Sequence, residues 1–510
     1  MTGEKQFDDL LDLRTIQQPS ALRLGDTRCR VNHFFRNYAL TTQMEAANLV
    51  FELSGNYALT TQQAGRHLVI SESWVRDTIV FDSIDFSRLR SLTVFGRWES
   101  FFISESMKLL RVLDLEDASE VPYSDLKKMV KLLCRLKFLS LRGCHEIRHL
   151  PSSVGDLMQL QTLDVRHTSL VTLPVTITKL QKLQYIRAGT TAQANNSPTT
   201  HHLLSQLSRD LHGSSWCCGT SRDHFSGGRH LVGVVVPAGI GKLTALHTLG
   251  VVNVNASGNK AVLKELKKLS HMRKLGVSGI NKNNSSKFFT AISVLIHLES
   301  LSVQLEENNK NCLNGIPLPL KSLRSLKLYG LGEQLPDWEA QLTRLTKMDL
   351  QIAKLTEDHV SVQSEGVTLP EEKREPTRGV IKFLGELPEL CLLRLHVDQL
   401  QDNQLDVAII FNELELQSFK KLKIYEITCG SSSSSKVTFG ERTMKKLEQL
   451  KVDCCSGSSF LGLEHLGELK EVLLKGASNE ALKADLITKL ENHPKQKKHV
   501  VKLEEQPSSS

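Results

Sequence analysis

The sequence predicts an α/β solenoid, in which short parallel strands form a curved sheet on the concave face and short helices or irregular segments cover the convex face. Two observations predict it. The spacing Leu-x-x-Leu-x-Leu recurs along the chain at intervals that mostly fall within about 20 to 29 residues, a period typical of stacked repeats. Aromatic residues make up only 5% of the 510 residues, so aliphatic side chains must fill most of the interior. The chain therefore extends one architecture rather than dividing into several globular domains.

Each Leu-x-x-Leu-x-Leu unit predicts one strand. Within it the Leu-x-Leu pair has period two, so both leucines point to one side and the residues beside them point to the other. A single strand cannot bury its leucines, but stacked copies can. This is the pattern of a leucine-rich repeat. With Val, Ile, Met or Phe as substitutes, it begins at Leu89, Leu110, Leu136, Leu160, Leu183, Leu246, Met272, Leu298, Leu323, Leu345, Leu390, Phe419, Leu447 and Leu469.

The residues after each strand predict a turn onto the convex side. After the strand at Leu136 come Cys144, Ile147 and a Leu150-Pro pair, and the next copy has Thr168 and a Leu-Pro pair in the same places. Cys144 and Thr168 occupy the position that turns the chain away from the strand. We therefore predict a structural role for both.

Interruptions of the pattern predict the organisation of the chain. Val31, Phe34, Phe35 and Tyr38 have helical spacing before the repeats begin. Stretches rich in Asn, Gly, Ser or charge interrupt the repeats twice. We predict five segments: 1–65, a helical remnant and linker; 66–189, a first repeat block; 190–235, an inserted loop; 236–480, a second block with a loop at 353–385; and 481–510, a cap helix with a disordered tail.

Composition favours a cytosolic protein. The first residues lack a basic start followed by an apolar run, and no apolar stretch is long enough to cross a membrane. The ten cysteines contain no C-x-x-C pair, as expected in a reducing compartment. The net charge of +8 permits an acidic partner without requiring one. The basic tail at 495–498 has no interleaved aromatic residues, so we predict no nucleic-acid partner.

Three motifs suggest chemistry but have the wrong context. His145-Glu146-x-x-His149 matches a zinc-protease pattern, yet Ile147 occupies a core position and a proline follows at once. The segment Gly239 to Thr244 lacks both the first glycine and the Ser or Thr of a phosphate-binding loop. The histidines and cysteines at 201–230 lack zinc-site spacing. We therefore predict no enzyme, with no catalytic residue, metal ligand, cofactor or small-molecule substrate.

The amino-acid sequence of the repeats resembles that of a known protein family. Leu110-Arg-Val-Leu-Asp-Leu115, Leu136-Lys-Phe-Leu-Ser-Leu141 and the 150–157 stretch are similar to plant intracellular nucleotide-binding leucine-rich-repeat disease-resistance proteins, in particular the coiled-coil class of cereals. Residues 28–35 resemble the end of that family's winged-helix region, although Val31-Asn32-His33 stands where the family has a Met-His-Asp-type motif. The resemblance implies a plant-defence function, as the recognition and autoinhibitory module of a receptor or a truncated paralogue of one. The nucleotide switch of the family is not carried over.

Strand spacing also predicts the binding surface, because residues beside each Leu-x-Leu pair face the concave side. In the first block these are Asp114, Glu116, Phe138, Ser140, Arg142, Asp164, Arg166 and Arg187. In the second they are Lys327, Tyr329, Lys347, Asp349, Arg394, His396, Lys421, Lys423, Tyr425, Lys451 and Lys475.

The second set is more basic, so we expect its C-terminal part to contact an acidic protein patch. The partner would be a pathogen effector, a guarded host protein or a receptor domain. The alternative is a cytosolic adaptor, either a ubiquitin-ligase substrate receptor or a signalling scaffold.

Overall fold

The computed structural model describes residues 16–17, 30–31, 50–55, 65–193, 229–255, 260–306, 309–336, 338, 341–355, 379–400, 403–407, 418–430, 435–454, 457–475, 480–491 and 500–504. Its strands are β1 (Ile16–Gln17), β2 (Arg30–Val31), β3 (Val50–Leu53), β4 (His67–Ile70), β5 (Ser91–Val94), β6 (Val112–Asp114), β7 (Phe138–Ser140), β8 (Thr162–Arg166), β9 (Tyr185–Gln193), β10 (Arg229–Val232), β11 (Thr248–Asn253), β12 (Lys274–Ile280), β13 (Ser300–Leu305), β14 (Ser325–Leu331), β15 (Lys347–Leu355), β16 (Leu392–Leu400), β17 (Gln404–Asp406), β18 (Ile424–Cys429), β19 (Lys436–Thr438), β20 (Gln449–Asp453), β21 (Ser459–Leu461), β22 (Glu471–Lys475) and β23 (Val500–Glu504).

One long parallel sheet organises the protein. From β3 to β9 each strand pairs with the next, and β9 pairs with β11. The sheet then continues through β12 to β16, β18, β20, β22 and β23. The leucines of each repeat lie behind this sheet: Leu139, Leu141 and Leu163 are each at most 1% exposed. The predicted leucine-rich-repeat solenoid is thus confirmed.

The convex side carries short helices and 3-10 turns. The helices are α1 (Thr78–Asp82), α2 (Tyr123–Leu132), α3 (Lys260–Leu266), α4 (Ser285–Ile292), α5 (Val380–Glu386) and α6 (Glu480–Glu491). The 3-10 turns include Ser152–Asp156, Val175–Lys179 and Ile240–Lys242. Helix α2 buries Leu126, Met129 and Val130, which follow the i, i+3, i+4 spacing of one helix face. These elements close the core opposite the sheet.

The predicted turn residues make the contacts that such a position requires. The Cys144 thiol donates to the Leu115 carbonyl at 3.1 Å, and the Thr168 hydroxyl donates to the Val165 carbonyl at 2.8 Å. Burial raises the pKa of Cys144 to about 12. Both side chains therefore add a hydrogen bond to a backbone carbonyl at the turn.

An aromatic cluster fills the convex side of the first repeats. Trp74, Phe81, Trp98 and Phe102 are each at most 2% exposed. The Trp98 and Phe102 rings meet edge to face with centroids 5.3 Å apart, a favourable arrangement. The Trp98 indole donates to Asp125 at 2.9 Å. Large rings therefore replace leucine in this part of the core.

The ends of the sheet differ from the predicted segments. The sheet begins at β3, before residue 66, and Arg30–Val31 pairs with Ile16–Gln17 as a two-stranded antiparallel sheet. The rest of the predicted 31–38 helix lies outside the described residues. At the other end, the expected disordered tail contributes Val500–Glu504, which extends the sheet beside β22. Val501 and Leu503 alternate with Lys502 and Glu504, which is the period-two pattern of a strand and was obscured by the preceding basic run.

The segment predicted as an inserted loop at 190–235 is partly ordered. Residues of β10 pair antiparallel with the end of β9. The Leu231 amide donates to Gln304 at 3.0 Å, and the Gly233 amide donates to the Ser278 hydroxyl at 3.1 Å. A Cβ on Gly233 would lie 2.6 Å from the Asn253 nitrogen. The returning chain thus lies tightly against the C-terminal ends of β12 and β13.

The second predicted loop, at 353–385, is also shorter than expected. Strand β15 continues to Leu355, and α5 begins at Val380, both inside the predicted loop. Farther along, β17, β19 and β21 form a separate three-stranded parallel sheet beside the last repeats. Its central residues Leu405, Val437 and Phe460 are at most 1% exposed. The second block therefore has a second small layer of strands.

Candidate binding surface on the concave face

The register of the strands defines which residues share the concave face. Asp114 pairs with Ser140, Ser140 with Asp164, and Asp164 with Arg187 across four neighbouring strands. Phe138 lies two residues before Ser140 and pairs with Thr162 in the next row on the same face. Because neighbouring parallel strands are about 4.8 Å apart, each row places its side chains in contact. The predicted concave positions of the first block are thus brought together.

Charges in the first block are paired within the surface. Asp164, only 3% exposed, receives the Arg166 guanidinium at 2.9 Å (Nε to Oδ1) and 2.6 Å (Nη2 to Oδ2). Arg187 approaches the same carboxylate at 3.7 Å. Arg142 donates to Glu116 at 2.7 Å. Such bidentate arginine contacts hold side chains in fixed positions, so this surface is preorganised rather than loose.

Asp114 lies in a less favourable environment. Burial raises the pKa of its carboxyl group, although the Ser140 hydroxyl and the Glu116 amide donate to it. The nearby carboxylates of Glu116 and Asp164 act in the same direction as burial. A cationic group of a partner would relieve this cost.

In the second block, one row of alternating charges crosses five strands. We call it the charge row: Lys327, Asp349, Arg394, Glu426 and Lys451, in register on β14, β15, β16, β18 and β20. Asp349, Arg394, Glu426 and Lys451 are between 2% and 9% exposed. Arg394 lies 2.8 Å from Glu426 (Nε to Oε2) and 3.7 Å from Asp349. Opposite charges on adjacent strands therefore compensate one another inside the sheet surface.

Three further predicted residues flank the charge row. The Tyr329 hydroxyl donates to Asp349 at 2.9 Å, and this side chain is buried. His396 lies 3.3 Å from Asp398. Lys347 lies on the concave side of β15, beside Asp349 in the chain. These positions agree with the spacing argument.

The structure corrects three of the predicted concave residues. Tyr425 pairs with Leu393 and Leu450, and it lies in the core with 1% exposure. Lys421 and Lys423 precede β18 and pair with Glu389 at 2.6 Å and Glu448 at 3.2 Å. The repeat starts at Leu422 rather than Phe419, because Tyr425 stands in place of a leucine. This shift places Glu426 on the concave face, which the spacing argument missed. Lys475 lies on β22, but its side chain is outside the described part.

The shifted register also changes the electrostatic prediction. The expected basic patch at Lys421, Lys423 and Lys451 does not form one surface, because the first two lysines lie at the sheet edge and pair with acids. Lys451 belongs to the charge row, beside Glu426. The positively charged side chains cluster instead in a pocket on β12 to β16.

A pocket of about 410 Å³ opens on the concave side of β12 to β16. Its cationic lining side chains are Lys274, Arg324, Lys327, Lys347 and Arg394. Its acidic lining residues are Glu299 and Asp349, and Glu426 pairs with Arg394 beside the pocket, which leaves an excess of two positive charges. Partial burial and the neighbouring charges of Lys274 and Arg394 lower the pKa of Lys347. Strand spacing predicts three of the five cations, Lys327, Lys347 and Arg394, but not Lys274 or Arg324.

Two motifs that resemble catalytic sequences, at 145–149 and 239–244, contribute to the packing of the repeats. Ile147 and Leu150 are 4% and 6% exposed, and the segment between them is irregular rather than helical. The Gly241 amide donates to Glu265 at 3.1 Å, while Leu243 is fully buried. Among the described residues, no group of three His, Cys, Asp or Glu side chains is placed to hold a metal ion. No helix in the described ranges has the length and apolar character needed to cross a membrane.

Comparisons with known proteins agree with this architecture. A family model described as a leucine-rich repeat region matches residues 88–216 and 229–364, just over half of the chain. The rice disease resistance protein Pik-2 is 24% identical over 440 residues, which are 80% of this chain and 38% of that protein. Rice disease resistance protein RGA4 is 40% identical over 106 residues, 20% of this chain and 10% of its own. The chain thus spans well under half the length of these relatives.

Solved structures include similar solenoids. A leucine-rich-repeat protein of Leptospira interrogans is 17% identical with a TM-score of 0.40, covering 81% of this chain and 90% of its own. The ectodomain of an Arabidopsis thaliana receptor kinase is 15% identical with a TM-score of 0.39, covering 93% of this chain and 56% of its own.

Proposed function

The chain belongs to the leucine-rich-repeat family, and from this premise we propose that it is the protein-recognition and autoinhibitory module of a plant disease-resistance receptor, or a shortened paralogue of one. It acts without catalysis in the cytosol. Its partner is a pathogen effector, a guarded host protein or a domain of a receptor. The similarity to rice resistance proteins supports the defence role and gives no support to the ligase-adaptor alternative.

One observation carries the proposal: the concave face presents ordered rows of polar and charged side chains on a rigid sheet. Asp164 and its two arginines illustrate this, since the carboxylate is nearly buried while Arg166 and Arg187 remain about one third exposed. Fixed donors lose little conformational entropy when a partner binds. A surface of this kind favours specific protein contacts, with electrostatics setting register and association rate.

The test compares two variants that differ only in the face they change. Phe138→Arg/Arg187→Ala alters the concave face of the first block. Val175→Arg/Lys179→Ala makes the matched change on the convex turn at 175–179, where Val175 is 65% exposed. Each full-length chain, fused to a proximity-labelling enzyme, is expressed in rice leaf cells during pathogen challenge. Labelled proteins are then purified and their direct binding is measured.

We expect a defence protein or a pathogen protein to bind the wild type and the convex variant and to lose at least tenfold in affinity for the concave variant. The same partners for both variants, with equal affinities, would contradict concave recognition. Circular dichroism establishes that both variants are folded, so loss of binding is not loss of structure.

A further inference from the structure

The pocket on β12 to β16 has a regular floor. Lys274, Ser300, Ser325 and Lys347 occupy one register position on four successive strands. Two small hydroxyl side chains therefore lie between two lysines. Burial lowers the pKa of Lys347, and the charge of Lys274, three strands away, acts in the same direction.

Positive and negative side chains alternate in the charge row, but they do not alternate in the floor of the pocket. In the charge row, Arg394 is matched by Asp349 on one side and Glu426 on the other. In the floor row, no acid separates the two lysines, since Ser300 and Ser325 are neutral. Like charges held together on a concave surface focus a positive potential that attracts an anionic group.

The dimensions favour a segment of chain over a small ion. Four strand spacings of about 4.8 Å separate β12 from β16, giving a span of about 19 Å. An extended peptide advances about 3.3 Å per residue, so about six residues cross it. A single phosphate would contact one or two strands only. The hydroxyls of Ser300 and Ser325 supply further donors to carboxylates along the way.

The C-terminal ends of β12 and β13 are already occupied. The returning chain at Leu231 and Gly233 binds Gln304 and Ser278, near the C-terminal ends of β13 and β12. The pocket instead includes Glu299, Arg324 and Thr346, which precede their strands. A segment that crosses the strands therefore lies toward their N-terminal ends.

We propose that this pocket binds an extended acidic segment of a protein partner, which runs across β12 to β16 with its carboxylates on Lys274, Arg324 and Lys347. The inference rests on the proposed recognition function and specifies the chemistry of the partner at this site. It also moves the acidic contact from the C-terminal lysines predicted by spacing to the middle of the second block.

The test measures binding of a fluorescein-labelled hexaglutamate peptide to the full purified chain by fluorescence anisotropy, at low salt and at physiological salt. Lys274→Ala/Lys347→Ala removes the two floor lysines. The matched control, Lys127→Ala/Lys128→Ala, removes two exposed lysines from the convex helix α2. Inorganic phosphate at constant ionic strength serves as a competitor. Lys274→Gln and Lys347→Gln singly provide the comparison if the double variant does not fold.

We expect at least tenfold weaker peptide binding by the pocket variant at low salt, wild-type binding by the convex variant, and a smaller effect of salt in the pocket variant. Equal affinities for all three chains, or no binding by the wild type, would overturn the proposal. Displacement by millimolar phosphate would do so as well, because it would indicate a small-anion site.

This assay separates the two proposals. If the peptide does not bind the pocket but the Phe138→Arg/Arg187→Ala variant still loses its cellular partner, only the acidic-segment inference fails. If the peptide binds the pocket but concave changes leave every partner in place, the proposed recognition function fails.

Discussion

Replacement of Arg394 by methionine is the sharpest test of the charge row. Arg394 lies between Asp349 and Glu426, with an 11% exposed side chain, and those of its partners are 7% and 4% exposed. Removal of one member of a buried ion pair leaves an uncompensated charge and typically costs about 3–5 kcal/mol. Asp349 keeps the Tyr329 hydroxyl, so we expect a cost near the lower bound, about 3 kcal/mol.

Urea unfolding followed by circular dichroism measures this cost, and a double-mutant cycle with Glu426→Gln isolates the pair. We expect Arg394→Met/Glu426→Gln to be less destabilised than the sum of the single variants, with a coupling energy of about 1–3 kcal/mol. Lys423→Met is the control, because its pair with Glu448 is largely exposed and should contribute less than about 1 kcal/mol. A cost for Arg394→Met no larger than that of Lys423→Met would refute the reasoning.

Four further outcomes follow from the structure. Tyr425→Ala should destabilise the protein by about 3–5 kcal/mol in urea unfolding, as for a large core side chain, whereas a surface tyrosine would lose far less. Gly233→Val should detach the returning chain, because a Cβ there would lie 2.6 Å from backbone atoms, and limited proteolysis should then cleave near it faster than in wild type. Iodoacetamide at pH 8 should modify exposed Cys134 but spare Cys144, whose pKa is raised to about 12 by burial, until denaturant is added; equal rates would contradict its burial. The lowered pKa of Lys347 means that its charge disfavours the folded state below the folded pKa. The free energy of unfolding should therefore rise with pH between the pKa that Lys347 has in the folded protein and the higher pKa it has in the unfolded chain. Lys347→Met should abolish this rise, as measured by thermal unfolding at alkaline pH.

The fold could be predicted because the repeat encodes it locally. Leu136, Leu139 and Leu141 identify a strand without reference to the rest of the chain, and all three are buried. The turn roles of Cys144 and Thr168 were predictable for the same reason. The return of the chain at Leu231 was not, because its contact with Gln304 joins residues far apart in sequence and depends on the curvature of the stack.

The binding surface was less predictable, because it depends on register. In the first block, leucines mark every repeat, and Asp114, Ser140 and Asp164 align as expected. In the second block, Tyr425 replaces a leucine and shifts the apparent start of the repeat by three residues. A comparison of the Leu422-x-x-Tyr425-x-Ile427 spacing with its neighbours could have revealed this. The pocket depends on the alignment of five neighbouring strands, which spacing within single repeats does not provide.

The alternation in the charge row restricts how the gene can change in length. Unequal crossing-over between similar repeats removes or duplicates whole units. Loss of the unit that carries Arg394 alone would place Asp349 beside Glu426, two buried carboxylates with no cation between them. Loss of the Arg394 and Glu426 units together would place Asp349 beside Lys451 and preserve the alternation. In this part of the chain, repeats should therefore be gained and lost in pairs.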